Sequence, residues 1–408
     1  FLENVKKETE NIKDYTSFLY ESGNVSISKL ENFMRCPFSY FINYGLRAKE
    51  REVYDFSPAD YGTYCHKIFD DFFKGVFENN IDWSTIDREF IQREVEKLTA
   101  KMAEKSNFIL ESSPKYKYFS TITHKNIVES IEIMAEQVRR GNFVPTGFET
   151  EFGDKSIKPI TYTLKNGKEI KLAGKIDRID VFKGENFDFL RIIDYKSSKR
   201  DIDLNQVYAG LQLQLFVYMN AILSSNKERY KPAGLFYSDF TTNFVGFETY
   251  SKMLDMNDES YHSAKLKKNK LTGFVIKDME LLKNLDRTLD ADNLTSEILP
   301  IKLKSKGQEI GASTLGLTTD EFEIVNEFVL NKTKDICEEI YAGNIDIKPF
   351  RYKNKKPCDY CKYKSICRFD IKHNKYNNIK NLVTKDKPNE VFEKMELKNP
   401  KVTIKEAE

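Results

Sequence analysis

The cysteines are the sequence feature that most constrains the fold of this chain. Cys36 stands alone near the start, whereas Cys358, Cys361 and Cys367 lie together near the end in a C-x2-C-x5-C pattern. Three clustered thiols and a distant fourth suit a site held by four thiolates, and both zinc and an iron-sulfur cluster accept four such ligands. A fold that uses all four must bring two segments from opposite ends of the chain together.

The composition is that of a globular protein. The 408 residues include six cysteines, no apolar run long enough to cross a bilayer and no signal-peptide pattern. We therefore expect a cytoplasmic protein without disulfides, in which Cys65 and Cys337 are ordinary core residues. Because the chain starts at Phe1 rather than Met, we expect it to be a piece of a longer protein. A net charge of +2 leaves any nucleic-acid binding to local patches.

The hydrophobic pattern changes from helical to strand-like at Pro145. Helical spacing in the first part predicts helices from Ser26 to Gly45 and over 58–77, 86–106 and 123–140. Alternating polarity then predicts strand pairs 158–164 with 169–172, around Asn166-Gly167, and 176–182 with 187–195. A helix over 204–223, a strand over 234–239 and a helix over 318–342 follow. This order predicts a mixed α/β core.

These boundaries divide the chain into six segments. They are an N-terminal helical extension (1–23), a helical segment with the first cysteine and a histidine motif (24–145), an α/β core (146–245), a polar segment with a helix (246–350), a cysteine-rich segment (351–372) and a C-terminal tail (373–408).

Acidic residues at strand ends indicate a metal site. Asp194 is the first polar residue after the apolar run 190–193, where α/β proteins place ligands, and Lys196 shares its strand face. Asp177 nears the end of the strand paired with it. Two adjacent carboxylates repel unless a cation lies between them, and magnesium or manganese suits oxygen ligands. Lys196 could then orient water or stabilise phosphate charge. The alternative is a surface ion pair between Asp194 and Lys196.

Four further residues are candidates for the same site. Glu149 could supply a third carboxylate, although Glu151 competes for that role. Gln214 and Tyr218 lie one turn apart on a predicted helix, either facing the site or facing solvent. His66 lies on an otherwise apolar helix, where a histidine is more often a hydrogen-bonded core residue than a ligand.

The stretch Arg351–Arg368 is basic and rich in tyrosine. Lys353, Lys355 and Lys356 neutralise phosphates in one interpretation, and Tyr352, Tyr360 and Tyr363 stack on unpaired bases, as in single-strand binders. In the other interpretation, the lysines only keep a cysteine-rich loop soluble. The chain has no G-x4-G-K-[ST] motif, so we expect no ATP binding by it.

Together these motifs resemble a known family. Gly62-x3-His66, Gly174-x-Ile176-Asp177, Ile193-Asp194-Tyr195-Lys196-Ser197 and Gln214-x3-Tyr218, in this order, resemble the RecB-like branch of the PD-(D/E)XK nuclease superfamily. The opening, with Ser26-Ile27-Ser28 and Arg35-Cys36-Pro37-Phe38, and the closing cysteines resemble the nuclease domains of AddB-type helicase-nuclease subunits. The resemblance covers about residues 24–370.

The resemblance implies a fold and a set of roles. The fold is a restriction-endonuclease-like α/β core, a mixed central sheet flanked by helices, with a large helical insertion. His66, Asp177 and Asp194 would bind magnesium or manganese, with the Tyr195 carbonyl as a further ligand. Lys196 would be the catalytic lysine, while Gln214 and Tyr218 would position the substrate. Cys36, Cys358, Cys361 and Cys367 would hold one 4Fe-4S cluster that joins the two ends.

The resemblance also implies a function in the repair of DNA double-strand breaks. The chain would be an exonuclease domain that cuts a single-stranded DNA end, in a complex with a helicase subunit of the AddA type. Two alternatives remain: a free-standing exonuclease of the CRISPR-adaptation type, and a DNA-end-binding scaffold whose metal site is vestigial.

Overall fold

The computed structural model describes residues 12–20, 23–49, 57–105, 113–153, 157–226, 228–240, 258–304, 307, 309–383 and 389–398. Most of the predicted N-terminal extension and part of the polar segment 246–350 lie outside the described residues. Residues 13–19 form one 3-10 turn and a four-residue helix, α1 (Thr16–Leu19).

The centre of the molecule is one mixed sheet of eight strands. They are β1 (Asn24–Ser26), β2 (Val144–Phe152), β3 (Ile160–Thr163), β4 (Glu169–Lys183), β5 (Asp188–Lys196), β6 (Tyr230–Asp239), β7 (Thr272–Ile276) and β8 (Gly316–Leu317). The strand order is β1-β4-β5-β6-β7-β8, and β2 and β3 also pair with β4. Antiparallel pairs (β4 with β5, β6 with β7) alternate with parallel ones (β5 with β6, β7 with β8), which confirms the predicted mixed α/β core.

Five α-helices lie between β1 and β2 in the described part of the chain. They are α2 (Ile27–Arg35), α3 (Pro37–Tyr40), α4 (Pro58–Glu78), α5 (Arg88–Lys105) and α6 (Pro114–Arg139). Of these, α2 and α4 pack on the sheet. Helix α4 begins with a capping box, in which Ser57 and Asp60 satisfy each other's backbone N–H groups, and Pro58 fits the first helical position. Its apolar face, including Phe69 and Phe73, is buried.

Three predicted helices differ from those observed. The helix expected from Ser26 to Gly45 breaks at Cys36, where Pro37 starts α3, and the chain continues as a π-helix over Phe41–Gly45. Helix α6 begins nine residues earlier than predicted, because Ser113 caps it and Pro114 opens it. The helix predicted over 204–223 is two helices, α7 (Leu204–Tyr208) and α8 (Gln214–Ser225).

The second half of the chain, as far as the structure describes it, contains five further α-helices, one of which ends at Cys367. Its helices are α9 (Asp258–Lys268), α10 (Met279–Leu285), α11 (Thr319–Tyr341), α12 (Lys364–Cys367) and α13 (Glu390–Glu396). Helix α11 matches the prediction over 318–342, since Thr318 and Glu321 form a capping box at its start. Along the described residues, no helix combines the length and the hydropathy needed to span a membrane.

The segment predicted as a C-terminal tail contacts the rest of the molecule. Strand β10 (Asn377–Asn378) pairs in parallel with β9 (Phe350–Arg351). Farther on, the Asn205 side chain accepts hydrogen bonds from the backbone of Leu382 and Val383. Helix α13 packs on α11 and buries Val391 and Met395.

Candidate active site

Three predicted ligands converge where β2, β4 and α4 meet. His66 on α4, Glu149 on β2 and Asp177 on β4 each offer a ligand atom, and these atoms lie within 4.8 Å of one another. The register pairs Phe148 with Arg178 and Thr150 with Ile176, which puts Glu149 across from Asp177. Glu151 instead pairs with Lys175 and is exposed. Of the two acids on β2, Glu149 is therefore the one in the group.

Hydrogen bonds hold Asp177 in place. Its Oδ2 accepts from the backbone N–H of Tyr195 on β5 at 2.8 Å and lies 3.4 Å from Nδ1 of His66. The pairing of β4 with β5 ends at Arg178 and Ile193, so the carboxylate of Asp177 takes the place of the next ladder hydrogen bond. This interaction fixes the aspartate against the strand that carries Asp194 and Lys196.

Asp194 lies beside this group and is 1% exposed. Burial and the charge of Asp177 raise its pKa to about 6, whereas the ion pair with Lys196 acts to lower it. Burial acts to lower the pKa of His66, but the hydrogen bond to Asp177 and the charges of Asp177 and Asp194 raise it overall. Each of these influences requires close neighbours, so the four side chains form one site. An exposed surface ion pair does not describe it.

The backbone is strained at Glu149. Its φ of 46° lies in the left-handed region that residues with a side chain rarely adopt. Such strain is commonly stored at functional sites. Glu149 also forms an ion pair with Lys175, which neutralises one of the carboxylates.

The donor set suits a divalent cation. Asp177, Glu149 and Asp194 provide carboxylate oxygens, the ligands that magnesium and manganese prefer, and His66 adds an imidazole that manganese also accepts. A cation at this position would offset the repulsion that raises the pKa of Asp194. The role of the Tyr195 carbonyl as a further ligand stays a prediction.

Gln214 and Tyr218 face the acidic site. The Gln214 amide donates to the Tyr218 hydroxyl at 2.8 Å, and Tyr218 is buried. Burial raises the pKa of Tyr218, and the charges of Asp194 and Asp177 raise it further. Tyr218 approaches β4 at Gly174, where an added Cβ would lie 3.0 Å from its ring. The pair is therefore not solvent-facing.

The four predicted cluster cysteines line one cleft. Burial raises the pKa of Cys36 to about 11, backbone N–H groups of Ser39, Lys348 and Phe38 act against this, and the charge of Cys367 raises it. Burial and the charges of Cys361 and Cys367 raise the pKa of Cys358. A bound cation would offset the burial and the neighbouring charges that raise the pKa of Cys36 and of Cys358. Cys65 and Cys337 are 0% exposed, as core residues should be.

The basic stretch agrees only partly with the predicted DNA contacts. Lys353, Lys355 and Lys356 are exposed, and Tyr360 is 95% exposed. Tyr352 is not available for stacking on bases: it is buried, and its hydroxyl bonds to Asp203 and Asn205. Tyr363 is half-buried, and its hydroxyl donates to Asn43. Because Tyr352 and Tyr363 bind neighbouring residues, Tyr360 is the only one of the three tyrosines whose ring is almost fully exposed to solvent.

A large cleft is lined partly by the chain that follows β5. Its volume is about 1840 Å³, and its walls include the cysteine segment and the connection between β5 and α8. The acidic residues do not line this cleft, but Lys199 on its wall is only three residues beyond Lys196 in the sequence. Basic side chains on the walls include Arg35, Lys49, Lys199, Arg200, Lys355 and Lys356.

The sequence interpretation missed two residues that organise the site. Arg178, next to Asp177, is buried, donates two hydrogen bonds to Asp180 and contacts Tyr195. Glu31 is buried behind α8. A charged residue among the apolar positions Leu30 and Phe33 of α2 was the available signal for Glu31.

Comparisons with known proteins agree with this geometry. The PD-(D/E)XK nuclease superfamily matches residues 24–368. An ATP-dependent helicase/deoxyribonuclease subunit from Clostridioides difficile (strain 630) is 39% identical over 372 residues, which are 89% of this chain and 32% of that protein. Subunits of the same name from Caldanaerobacter subterraneus subsp. tengcongensis and Clostridium botulinum (strain Loch Maree / Type A3) are 37% and 35% identical, over 88% and 92% of this chain and 31% and 32% of those proteins. The chain spans about a third of the length of these curated relatives.

Proposed function

Because the chain belongs to the PD-(D/E)XK nuclease superfamily, we propose that it is the nuclease domain of a helicase-nuclease, and that it hydrolyses phosphodiester bonds of single-stranded DNA in double-strand break repair. The observation that carries the proposal is the convergence of His66, Glu149 and Asp177 next to Asp194 and Lys196. The names of the relatives support a DNA substrate and a helicase partner, which we take to be of the AddA type.

Each residue of the site has a proposed role. A bound magnesium or manganese ion would act as a Lewis acid on the phosphate and lower the pKa of a water ligand. His66, Glu149, Asp177 and Asp194 would hold it. The ammonium group of Lys196, kept beside Asp194 by their ion pair, would orient the attacking water and offset negative charge on the phosphate. Gln214 and Tyr218 would position the strand.

A cleavage assay tests the proposal. End-labelled single-stranded DNA is incubated with the protein in magnesium, in manganese and in EDTA. We expect cleavage with either metal and none in EDTA, with a loss of at least about 100-fold in Lys196→Ala. Lys183→Ala, an exposed lysine at the far end of β4, is the matched control and should cleave like wild type. Equal activity in Lys196→Ala and the control would contradict the assignment.

The same assay tests the scaffold alternative. A vestigial scaffold would bind DNA ends but not cleave them under any metal condition. The helices α4 to α6 between Ser57 and Arg140, together with the similarity to large subunits, favour the helicase-nuclease.

We also propose that Cys36, Cys358, Cys361 and Cys367 hold a 4Fe-4S cluster. Their shared cleft and the backbone N–H groups directed at Cys36 support this. Anaerobically purified protein should contain about four iron and four sulfide per chain. One zinc per chain in protein made with ample iron would contradict it.

The cleft beside the acidic site is our candidate for the DNA path. Its basic walls could neutralise phosphates, and the exposed ring of Tyr360 could stack on a base. The connection from β5 to α8 forms one wall, so a strand lying there would reach the acidic site within a few nucleotides.

A further inference from the structure

Helix α8 begins without a cap of its own. The residue before it is Leu213, which has no side-chain oxygen to satisfy the first N–H groups of the helix. Glu31 on α2, 182 residues earlier, supplies the acceptor. Its Oε1 accepts from the backbone N–H of Leu213 at 2.8 Å and of Gln214 at 3.1 Å. A buried carboxylate from a distant segment thus holds the start of this helix.

This start determines where two site residues lie. Gln214 is the first residue of α8, and Tyr218 follows one turn later, bonded to it. The Tyr218 ring fits between Gly174 and Phe152, so the helix cannot shift freely. A change at the first turn would therefore move the Gln214 amide relative to Asp177 and Asp194.

The first turn of α8 provides hydrogen-bond partners for the buried Glu31 side chain. Burial raises the pKa of Glu31 overall, whereas the N–H groups of Leu213 and Gln214 and the charges of Arg200 and Arg35 act to lower it. Two hydrogen bonds to one buried carboxyl oxygen give the first turn a defined geometry. A local Ser or Asp at position 213 would cap the helix at lower cost, but it would not tie the helix to α2.

We propose that Glu31 is a positioning residue for the substrate strand. It fixes the first turn of α8 and thereby aims Gln214 and Tyr218 at the acidic site. The proposal rests on the proposed function for the identity of the substrate. Glu31 itself contacts neither DNA nor metal.

Three variants and wild type test this. Glu31→Ala removes the acceptor, and Glu31→Gln keeps a neutral one. Asp278→Ala removes a carboxylate that caps a different helix, α10, by accepting from the N–H of Leu281. The readouts are the KM for a single-stranded oligonucleotide, kcat, the magnesium concentration at half-maximal rate, and hydrogen exchange of the amides of residues 213–216.

Glu31→Ala should raise KM about tenfold and speed exchange at residues 213–216, with the magnesium dependence unchanged, because it removes two hydrogen bonds at the start of α8 and leaves the proposed metal ligands in place. Glu31→Gln should recover most of both effects. Asp278→Ala should speed exchange in α10 and leave KM unchanged.

Two results would overturn the proposal: a wild-type KM in Glu31→Ala, or unchanged exchange at residues 213–216. If wild type does not cleave single-stranded DNA, the proposed function fails first. The affinity for that strand and the exchange rates then decide on Glu31 alone. If Glu31→Ala does not fold, Glu31→Asp takes its place, because the shorter side chain withdraws the acceptor from the N–H groups of Leu213 and Gln214. A wild-type KM together with wild-type exchange at residues 213–216 in Glu31→Asp would overturn the proposal.

Discussion

Asp194 is a buried carboxyl group whose charged form is disfavoured by burial and by the charge of Asp177 and favoured by the charge of Lys196. Its pKa of about 6 exceeds the ordinary value of 3.8, so the folded, metal-free protein keeps this proton more tightly than the unfolded chain does. The stabilisation from this proton is fully present below pH 3.8 and is lost as the pH rises through about 6. Metal-free protein should therefore be less stable at pH 8 than at pH 5.

Asp194→Asn should remove this pH dependence. Without metal at pH 8, we expect the variant to unfold with a free energy roughly 2 kcal/mol higher than wild type, because the Asn side chain carries no buried charge. At pH 4 the two should be nearly equal. Urea unfolding in EDTA at both pH values measures the difference, and cleavage should be abolished. A variant that is less stable than wild type at pH 8 would refute the account.

Gly174 is required by close packing. A Cβ at this position would lie 2.6 Å from the Phe152 ring and 3.0 Å from that of Tyr218. Gly174→Ala should therefore displace Tyr218, lower the cleavage rate and destabilise the protein by about 1 to 3 kcal/mol.

Gly75 on α4 is the matched control for Gly174, because an added Cβ there meets no atom within 4 Å. Gly75→Ala should stabilise the protein by about 0.5 to 1 kcal/mol and leave cleavage unchanged. Thermal melting and initial rates of both variants check the pair. Equal effects of the two substitutions would contradict the packing argument.

At the scale of elements, the β4–β5 pair contains a buried ionic cluster. Asp180 lies between Arg178 and Arg191, and all three are 0% exposed. The guanidinium groups also stack on aromatic rings, Arg178 over Phe73 and Arg191 over Phe143. The cluster therefore joins the two strands that carry Asp177 and Asp194 to helix α4.

Asp180→Ala should be severely destabilising. It removes the carboxylate that accepts hydrogen bonds from both buried arginines and leaves Arg191 with the weaker influence of the Asp286 charge, which costs about 3 to 5 kcal/mol. Glu78→Ala, which breaks the exposed pair with Lys74, should change stability by less than about 1 kcal/mol. Urea unfolding of both variants measures the contrast. A loss of stability in Asp180→Ala as small as in Glu78→Ala would show that the arginines are compensated by other groups.

The helices and strands that could be predicted from the sequence are those whose ends or faces are marked by nearby residues. Capping boxes mark the starts of α4 and α11, and alternating polarity marks the strands. The break between α7 and α8 has one local signal, Gly210, which ends α7 by adopting the left-handed conformation with a φ of 79°. The helix predicted over 204–223 runs through it, because Leu211 and Leu213 continue the apolar pattern and are buried.

The part of the candidate site that belongs to sequence motifs could be predicted. The order of Asp177, Asp194 and Lys196 along two paired strands indicated their proximity. The choice of Glu149 over Glu151 depends on strand register, which a two-residue alternation does not specify. Tyr352 and Glu31 act through partners 149 and 182 residues away, and one sequence gives no sign of such contacts.

On the scale of the whole molecule, exposed basic residues should govern the affinity for DNA. Replacing Lys353, Lys355 and Lys356 together by Ala should weaken single-strand binding. Its dependence on the logarithm of salt concentration should fall by about 0.7 for each phosphate that is no longer neutralised. The rate at saturating DNA should barely change. Exposed Lys165 in the turn between β3 and β4, together with Lys171 and Lys183 on β4, forms a control triple. An unchanged salt slope in the first triple would place the DNA elsewhere.

The contacts of the residues after the cysteine segment determine how long a transferable fragment of this domain must be. The family match ends at residue 368, yet Asn205 binds the backbone of Leu382 and Val383, and α13 buries Val391 and Met395 against α11. A fragment cut at the family boundary would lose these partners and expose an apolar stripe. A fragment that keeps these contacts therefore extends to about residue 397. Fusions of this domain to other proteins should include the residues between 368 and 397.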